Sequence, residues 1–163
     1  MSNVDGPGAA VPADSLTPSV VVPASAGAAA KESAIDASET DALAAVDAII
    51  THFGNHERDA YFAGFAPEAT FLFYTTPDRV ESRAAYKQLW DEWEKEAGFH
   101  VLSCSSSNRR IQVFGDTAVF SHDVDTTLTM EGVTESVTER ESIILERRGG
   151  QWLGIHEHLS ARG

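Results

Sequence analysis

Three histidines and an arginine in the last third of the chain have the side chains best suited to proton transfer or to anion binding. His156 and His158 are two positions apart, so a β-strand would place both on one face. His122 stands in a second stretch of alternating residues, and Arg140 stands in a third. Imidazoles titrate near neutral pH, and a guanidinium pairs well with carboxylates. These four residues indicate acid/base chemistry or a pocket for a small carboxylate- or ketone-bearing molecule.

Each of the four residues also has a structural interpretation. His156 and His158 can lie at a subunit interface, and His122 stands among apolar neighbours, where a neutral, hydrogen-bonded core histidine is common. Arg140 needs an anionic partner if it is buried, because an unpaired buried charge is very costly. A Glu or Asp on an adjacent strand would serve as that partner as well as a ligand carboxylate would. Both interpretations stay open at the level of the sequence.

A metal ion is a further interpretation of the two histidines spaced by one residue. Asp123 or Asp125 would complete a set of two imidazoles and one carboxylate. The spacing of the residues fixes no third ligand, and without one the pair is a weak signal. We therefore predict no metal and no other cofactor.

The overall composition is that of one soluble domain with an acidic surface. The chain has 163 residues, 42% of them hydrophobic, and a formal net charge of −13. Such a surface repels phosphate backbones and anionic lipid headgroups, so we expect neither nucleic acid nor membrane partners. Cys104 is the single cysteine, which leaves no internal disulfide and favours a reducing, cytoplasmic location.

The first 38 residues differ in composition from the rest. They contain ten Ala, six Ser, four Pro and three Gly, and they contain no aromatic residue. Such a stretch cannot bury enough apolar surface to offset the entropy of ordering it. We predict a flexible tail over residues 1–38 and a single domain over residues 39–163.

Helices are expected in the first half of the domain and strands in the second. A capping serine, Ser38, and apolar residues at three- and four-residue steps predict a first helix that ends near Phe53. A short helix over residues 58–62, a strand over residues 69–75 and a helix capped by Ser82 follow. From there the apolar period changes to two, and glycine turns divide residues 99–163 into four strands. This order predicts an α+β fold in which helices cross one face of a bent antiparallel sheet.

Aromatic residues are concentrated where the first strand should meet the helix capped by Ser82. Trp90 and Trp93 recur at helical spacing on that helix, and Tyr74 lies near the end of the strand. We expect most of this area to be core, because aromatic residues at helical spacing usually pack against a sheet. One or two of these rings are expected to border the pocket, which would favour a flat or aromatic ligand.

Two motifs resemble the nuclear transport factor 2-like superfamily, in particular its SnoaL-like proteins and the association domain of calcium/calmodulin-dependent protein kinase II. They read FAPEATF at residues 65–71 and QWLGIHEHLS at residues 151–160. The resemblance implies a cone-shaped, cystatin-like fold, in which a curved antiparallel sheet wraps around N-terminal helices and leaves a pocket open at one end. It also implies a homodimer formed through the convex side of the sheet.

The resemblance does not choose between functions, because the same fold carries many of them. The first hypothesis is a homodimer whose pocket binds a small molecule, with Tyr74, Trp90, Trp93, His122, Arg140, His156 and His158 as ligand-binding candidates. The second is a cofactor-independent isomerase or cyclase, of the ketosteroid isomerase or polyketide cyclase type, with His122, His156 or His158 as general base. The third is an oligomerisation module without chemistry.

Overall fold

A computed structural model describes the fold of residues 26–163. These residues form three helices and five strands. The elements in chain order are α1 (Ala26–Gly54), α2 (Arg58–Ala63), β1 (Phe65–Phe73), α3 (Arg83–Ala97), β2 (His100–Phe114), β3 (Thr117–Met130), β4 (Val133–Arg148) and β5 (Gln151–Ala161). The α+β class and the four long strands of the second half are as the sequence predicted.

The first helix begins earlier than the sequence indicated. It starts at Ala26 rather than at Ser38, so the composition boundary falls inside α1. Residues 26–37 include six alanines, and alanine has the highest helix propensity of all residues. The flexible tail predicted for residues 1–38 stays a prediction, and residues 1–25 lie outside the described part of the chain.

The helix before the long strands begins where its sequence predicted. The side-chain oxygen of Ser82 accepts a hydrogen bond from the backbone N–H of Ala85, which satisfies one free donor of the first turn of α3. Gly98 ends the helix in a left-handed conformation, with φ of 63°. Both ends of α3 are thereby fixed, which sets the direction in which its aromatic residues face the sheet.

The five strands form one curved sheet in the order β1-β5-β4-β3-β2. Strands β2 to β5 are antiparallel neighbours, as predicted, but β1 pairs with β5 in parallel. The sheet is therefore mixed rather than antiparallel throughout. The reason is that α3 separates β1 from the next strand, so β1 has no hairpin partner and joins the edge left by the last strand.

A bulge in β5 changes which of its side chains face the helices. Leu145 of β4 pairs with Gly154, and Ile144 pairs with His156, so Ile155 is an extra residue in β5. One extra residue reverses the alternation of side chains beyond it. Gly154 is buried before the bulge, and Glu157 is buried after it.

The bulge lies beside a close contact between β5 and the start of β1. A Cβ atom at Gly154 would lie 2.5 Å from Cδ1 of Phe65, which is closer than atoms approach in folded proteins. The backbone N–H of Gly154 also donates a 2.8 Å hydrogen bond to the carbonyl of Gly64. The absence of a side chain at Gly154 therefore lets the buried Phe65 ring pack closely against β5.

Candidate functional site

A cavity of about 490 Å³ lies between the helices and the concave face of the sheet. Its walls are mostly apolar and aromatic, as is usual for small-molecule sites. The aromatic wall, as we call it below, consists of Phe53, Tyr61, Phe73, Tyr74, Tyr86, Trp93 and Phe99. Strands β3 and β4 contribute smaller side chains opposite these rings, among them Val124, Thr126, Leu128 and Val137.

Of the four glutamates that line the cavity, Glu135 is exposed at the rim, and the other three place carboxyl groups within the apolar surface. Glu139 and Glu141 are two positions apart on β4, so both point to the concave face, as Ile143 does further along the strand. Glu157 faces the same way on β5, where it pairs in register with Ile143. Only 7% of Glu139 and 4% of Glu157 is exposed to solvent. Buried carboxyl groups of this kind are rare unless they are paired or functional.

Glu141 and Glu157 are hydrogen-bonded to each other as diagonal neighbours on β4 and β5. Two adjacent carboxylates cannot both ionise in a low dielectric, so the pair must hold a proton. Burial raises the pKa of Glu141 to about 7. Burial and the neighbouring charge of Glu141 raise the pKa of Glu157 well above its ordinary range. The pair therefore carries at least one proton at neutral pH.

Tyr61 contacts the same carboxyl pair, and Tyr86 lies beside Tyr61. The hydroxyl of Tyr61 on α2 donates a hydrogen bond of 3.2 Å to Oε2 of Glu157. The hydroxyls of Tyr61 and of Tyr86 on α3 are 3.5 Å apart. Burial, followed by the negative charge of Glu157, raises the pKa of both tyrosines. Both hydroxyls thus remain donors at the floor of the cavity.

His122 lies behind the carboxyl pair and does not line the cavity. Its Nε2 contacts Oε2 of Glu141, and its Nδ1 is 2.6 Å from the hydroxyl oxygen of Ser106. Burial, and to a smaller extent the positive charge of Arg109, lowers the pKa of His122 to about 4. The imidazole is therefore neutral at pH 7 and fixes the position of Glu141 rather than meeting a ligand itself.

Glu139 lies closer to the mouth of the cavity. The hydroxyl of Tyr74, at the end of β1, donates a 2.6 Å hydrogen bond to its Oε1. Burial raises the pKa of Glu139, and this hydrogen bond opposes the increase. Burial, together with the bond to Glu139, raises the pKa of Tyr74 to about 12. Tyr74 is half exposed, so the pair stands where a ligand would enter.

The structure corrects the expectation that His156 and His158 look into the hollow. The bulge at Ile155 places both on the other side of β5 from Glu157, because the alternation reverses there. Nδ1 of His156 is 2.8 Å from the hydroxyl oxygen of Thr70 on β1, and His158 is exposed. Neither histidine lines the cavity.

Arg140 also differs from its predicted role as a ligand-binding residue. It alternates with the inward-facing glutamates of β4, so it lies on the convex face of the sheet, where its side chain is 64% exposed. Its Nε is 3.6 Å from Oδ1 of Asp123, and Arg162 binds the other oxygen of that carboxylate at 2.7 Å. Arg140 therefore has a structural ion pair, which was the other interpretation of its sequence context.

The predicted aromatic residues divide between wall and core. Tyr74 and Trp93 line the cavity. Trp90 is fully buried behind them, so the prediction that it contacts a ligand does not fit the structure. Its Nε1 donates a 2.6 Å hydrogen bond to Oε1 of Glu94 on the same helix.

The three inward glutamates are the residues that the sequence interpretation missed. Glutamate on a strand is ordinarily solvent-facing. A signal was present, since Glu139 and Glu141 share the alternation of the buried Ile143 and Leu145. The bulge that turns Glu157 inward has no comparable sign in the sequence.

The described residues provide no metal-binding group and no cation in the cavity wall. Within residues 26–163, no cluster of three His, Cys, Asp or Glu residues is arranged to hold a metal ion. Over the same residues, no Lys, Arg or His lines the cavity. None of the helices in this part of the chain has the length and hydropathy needed to cross a membrane.

A curved sheet whose concave side is covered by helices around a cavity is the architecture of nuclear transport factor 2-like proteins. The family model of the SnoaL-like domain matches residues 42–162. The chain therefore belongs to the SnoaL-like domain family. Among curated protein sequences, none matches the chain significantly.

Solved structures of the same fold include proteins with different described roles. A ketosteroid isomerase-like protein from Erwinia carotovora atroseptica is 17% identical, with a TM-score of 0.65 over 77% of this chain and 96% of that one. The association domain of Caenorhabditis elegans calcium/calmodulin-dependent protein kinase II is 15% identical, with a TM-score of 0.61 over 78% and 98%. An uncharacterised protein with a cystatin-like fold from Caulobacter vibrioides is 15% identical, with a TM-score of 0.64 over 77% and 91%. These likenesses concern the fold alone.

The raised pKa of Glu141 predicts how stability depends on pH. Unfolded Glu141 ionises near its ordinary pKa of 4.5, whereas the folded group holds its proton to about pH 7. Its contribution to the free energy of unfolding is therefore lost as the pH rises from about 4.5 to about 7. Gln cannot ionise, so Glu141→Gln should gain about 2–3 kcal/mol relative to wild type across that range. Urea denaturation at several pH values measures the difference.

The control for this comparison is Glu96→Gln, on the exposed face of α3. It should differ from wild type by the same amount at every pH. Neutral His122 gives the opposite slope, because its contribution to stability is lost as the pH falls from 6.5 towards 4. Glu96→Gln keeps that contribution, because it leaves the contact between His122 and Glu141 in place. A Glu141→Gln difference that stays constant or shrinks as the pH rises would contradict the assigned pKa.

Proposed function

We propose that this SnoaL-like chain is a small-molecule-binding protein that holds its ligand in the cavity. The apolar body of the ligand packs against the aromatic wall, and one polar group reaches Glu141 and Glu157. A single observation carries the proposal: an apolar cavity of about 490 Å³ closes on a buried, hydrogen-bonded pair of carboxyl groups. Burying that pair is costly for the fold, and convergent polar groups on an apolar surface are typical of binding sites.

The charge of the site restricts the polar group of the ligand. A carboxylate, which the sequence alone suggested, would enter a space with three carboxyl groups and no basic side chain from residues 26–163 in its wall. Like charges at such short range repel strongly in a low dielectric. A ketone is compatible, because its oxygen can accept a hydrogen bond from the protonated member of the pair or from Tyr61.

A larger side chain inside the cavity should weaken the binding of a ligand there. Leu128 lines the cavity, and Leu128→Trp would occupy much of the free space. The neutral fluorescent dye N-phenyl-1-naphthylamine should bind wild type and lose affinity at least about tenfold in the variant. Ile35→Trp makes a similar change on α1, at a residue that is 43% exposed and does not line the cavity, and should leave dye binding unchanged. Equal dye fluorescence in wild type and Leu128→Trp would reject the cavity as the binding site.

We propose further that the protein functions as a homodimer. Leu102 and Phe114, on the edge strand β2, are 51% and 62% exposed, and large exposed apolar side chains often mark an association surface. A protein of similar fold is itself named an association domain. Mass measurement under native conditions should give twice the mass of one chain at micromolar concentration. A persistent monomer there would contradict the dimer.

A second candidate function is a cofactor-independent ketone isomerase. The observation that favours it is a carboxylate at the mouth, Glu139, in the same apolar cavity as the protonated Glu141–Glu157 pair. Glu139 would take the proton from the carbon beside the carbonyl group and return it to the far end of the resulting enolate. Tyr61 and Glu157 would donate hydrogen bonds to the enolate oxygen. In this version the general base is a glutamate, since His122, His156 and His158 do not line the cavity.

The isomerase hypothesis is tested with β,γ-unsaturated ketones, whose conjugated products absorb in the near ultraviolet. Wild type should form the conjugated product, and Glu139→Gln should lower kcat roughly 10²–10⁴-fold because the base is lost. Glu96→Gln should match wild type. Absence of product with wild type, or full activity of Glu139→Gln, would reject this candidate and leave the binding function untouched.

A further inference from the structure

We propose that the ligand of the cavity is an organic cation, an apolar molecule carrying a protonated amine that binds between Glu139 and the Glu141–Glu157 pair. This inference rests on the proposed binding function and specifies the chemical class of the ligand. The position of the cavity indicates where a ligand would bind. The acidic groups in its wall indicate which chemical class of ligand would bind most tightly.

The first argument is the electrostatic balance of the cavity wall. Glu139, Glu141 and Glu157 contribute acidic groups, and among residues 26–163 no basic side chain faces them across the cavity. His122 contacts Glu141 from behind but is neutral. A buried carboxylate without a counter-ion is strongly unfavourable, so in the free protein the pair keeps a proton. An ammonium group would supply the missing counter-charge and let the pair release that proton.

The second argument is the aromatic wall, which suits a cation as well as an apolar ligand. Tyr86 packs edge-on against Trp93 with the ring centroids 6.2 Å apart, and Phe73 lies 5.0 Å from Tyr86. Rings of this kind carry negative charge on their faces and attract cations, most strongly where water is excluded. Carboxylates alone would also attract a hydrated metal ion. The combination with aromatic rings instead favours an amine with an apolar body.

The third argument is the charge around the entrance. Glu135 lies exposed at the rim, and Glu139 follows deeper in the cavity. The chain as a whole has a formal net charge of −13. A negative field that converges on a low-dielectric cleft raises the local concentration of cations and speeds their entry. The same field works against a carboxylate ligand at every step from solution to the floor of the cavity.

A neutral ligand, such as a ketone, is the alternative to an organic cation. The two classes of ligand differ in the contacts that they would make with the carboxyl groups. A ketone accepts one hydrogen bond from the protonated member of the pair, but it offers no donor to Glu139, whose hydrogen-bond partner is the hydroxyl of Tyr74. An ammonium group donates up to three hydrogen bonds and satisfies carboxylate oxygens directly. A cation should therefore bind more tightly than a neutral molecule of the same shape.

The experiment compares three molecules that share one ring system and differ in their terminal group. Tryptamine is a cation at neutral pH, tryptophol is neutral, and indole-3-propionate is an anion. Their affinities for the full-length protein are measured by isothermal titration at constant pH and salt concentration. The matching phenyl series of 2-phenylethylamine, 2-phenylethanol and 3-phenylpropionate repeats the comparison with a smaller ring. We expect the amine to bind at least about tenfold more tightly than the alcohol in one or both series.

Glutamine variants test whether the carboxyl groups cause the preference for the amine over the alcohol. Glu157→Gln should reduce the advantage of the amine over the alcohol to less than about threefold, and Glu141→Gln provides a second variant should the first fail to fold. Glu96→Gln, on the exposed face of α3, should retain the full preference.

An alcohol or carboxylate that binds as tightly as the amine would overturn the inference, and so would an amine preference that survives both glutamine variants. Failure of both amines to bind with a Kd below about 1 mM would also overturn it. In each of these cases, dye binding that is lost in Leu128→Trp would show that the proposed binding function still stands. Loss of specific dye binding as well would reject both proposals.

Discussion

The contact between the side chains of Glu141 and Glu157 is the constraint around which the interior of this protein is organised. Two carboxyl groups held against each other away from water must retain a proton, and every polar neighbour accommodates that requirement. Tyr61 donates a hydrogen bond to one member, and neutral His122 supports the other. The aromatic and aliphatic residues around them exclude water and so keep the pair from ionising freely. If the pair had fewer hydrogen-bond partners, it would destabilise the core. If water reached the pair, the pKa values of both glutamates would return towards their ordinary range.

The position of Glu157 depends on a small irregularity in the sheet. Without the extra residue at Ile155, β5 would carry the alternation of Trp152 straight through, and the two histidines would face the helices in place of the glutamate. The one-residue bulge thus determines that the floor of the cavity carries the carboxyl group of Glu157 and not the two imidazoles. Gly154 permits this by allowing Phe65 to pack where a side chain would otherwise stand. Bulges commonly re-aim side chains beside functional sites in this way.

Much of the architecture could be predicted from local sequence patterns, whereas the site could not. The cap of α3 at Ser82 and the four long strands depend on local spacing and turn residues, which the sequence displays directly. The start of α1 was predicted too late, because low hydrophobicity suggested a tail while the alanines in fact favour a helix. The direction of β1 and the bulge in β5 depend on pairing between residues far apart in the chain, which single-sequence periodicity does not report. Residue type favours histidine over glutamate as a site candidate, because an ordinary imidazole titrates near neutral pH and a glutamate does so only when it is buried.

The order of the strands also bears on how the protein folds during synthesis. The last strand, β5, lies between β1 and β4, so the parallel pairing of β1 cannot form until residues 151–161 have been made. Strands β2 to β4 can pair as successive hairpins as soon as each emerges, but one edge of β4 and one edge of β1 stay unpaired until β5 has been made. Such long-range pairing slows folding, and until it forms the unpaired strand edges can associate with other chains. Synthesis of this domain should therefore depend more on chaperone protection than that of a helical protein of equal length.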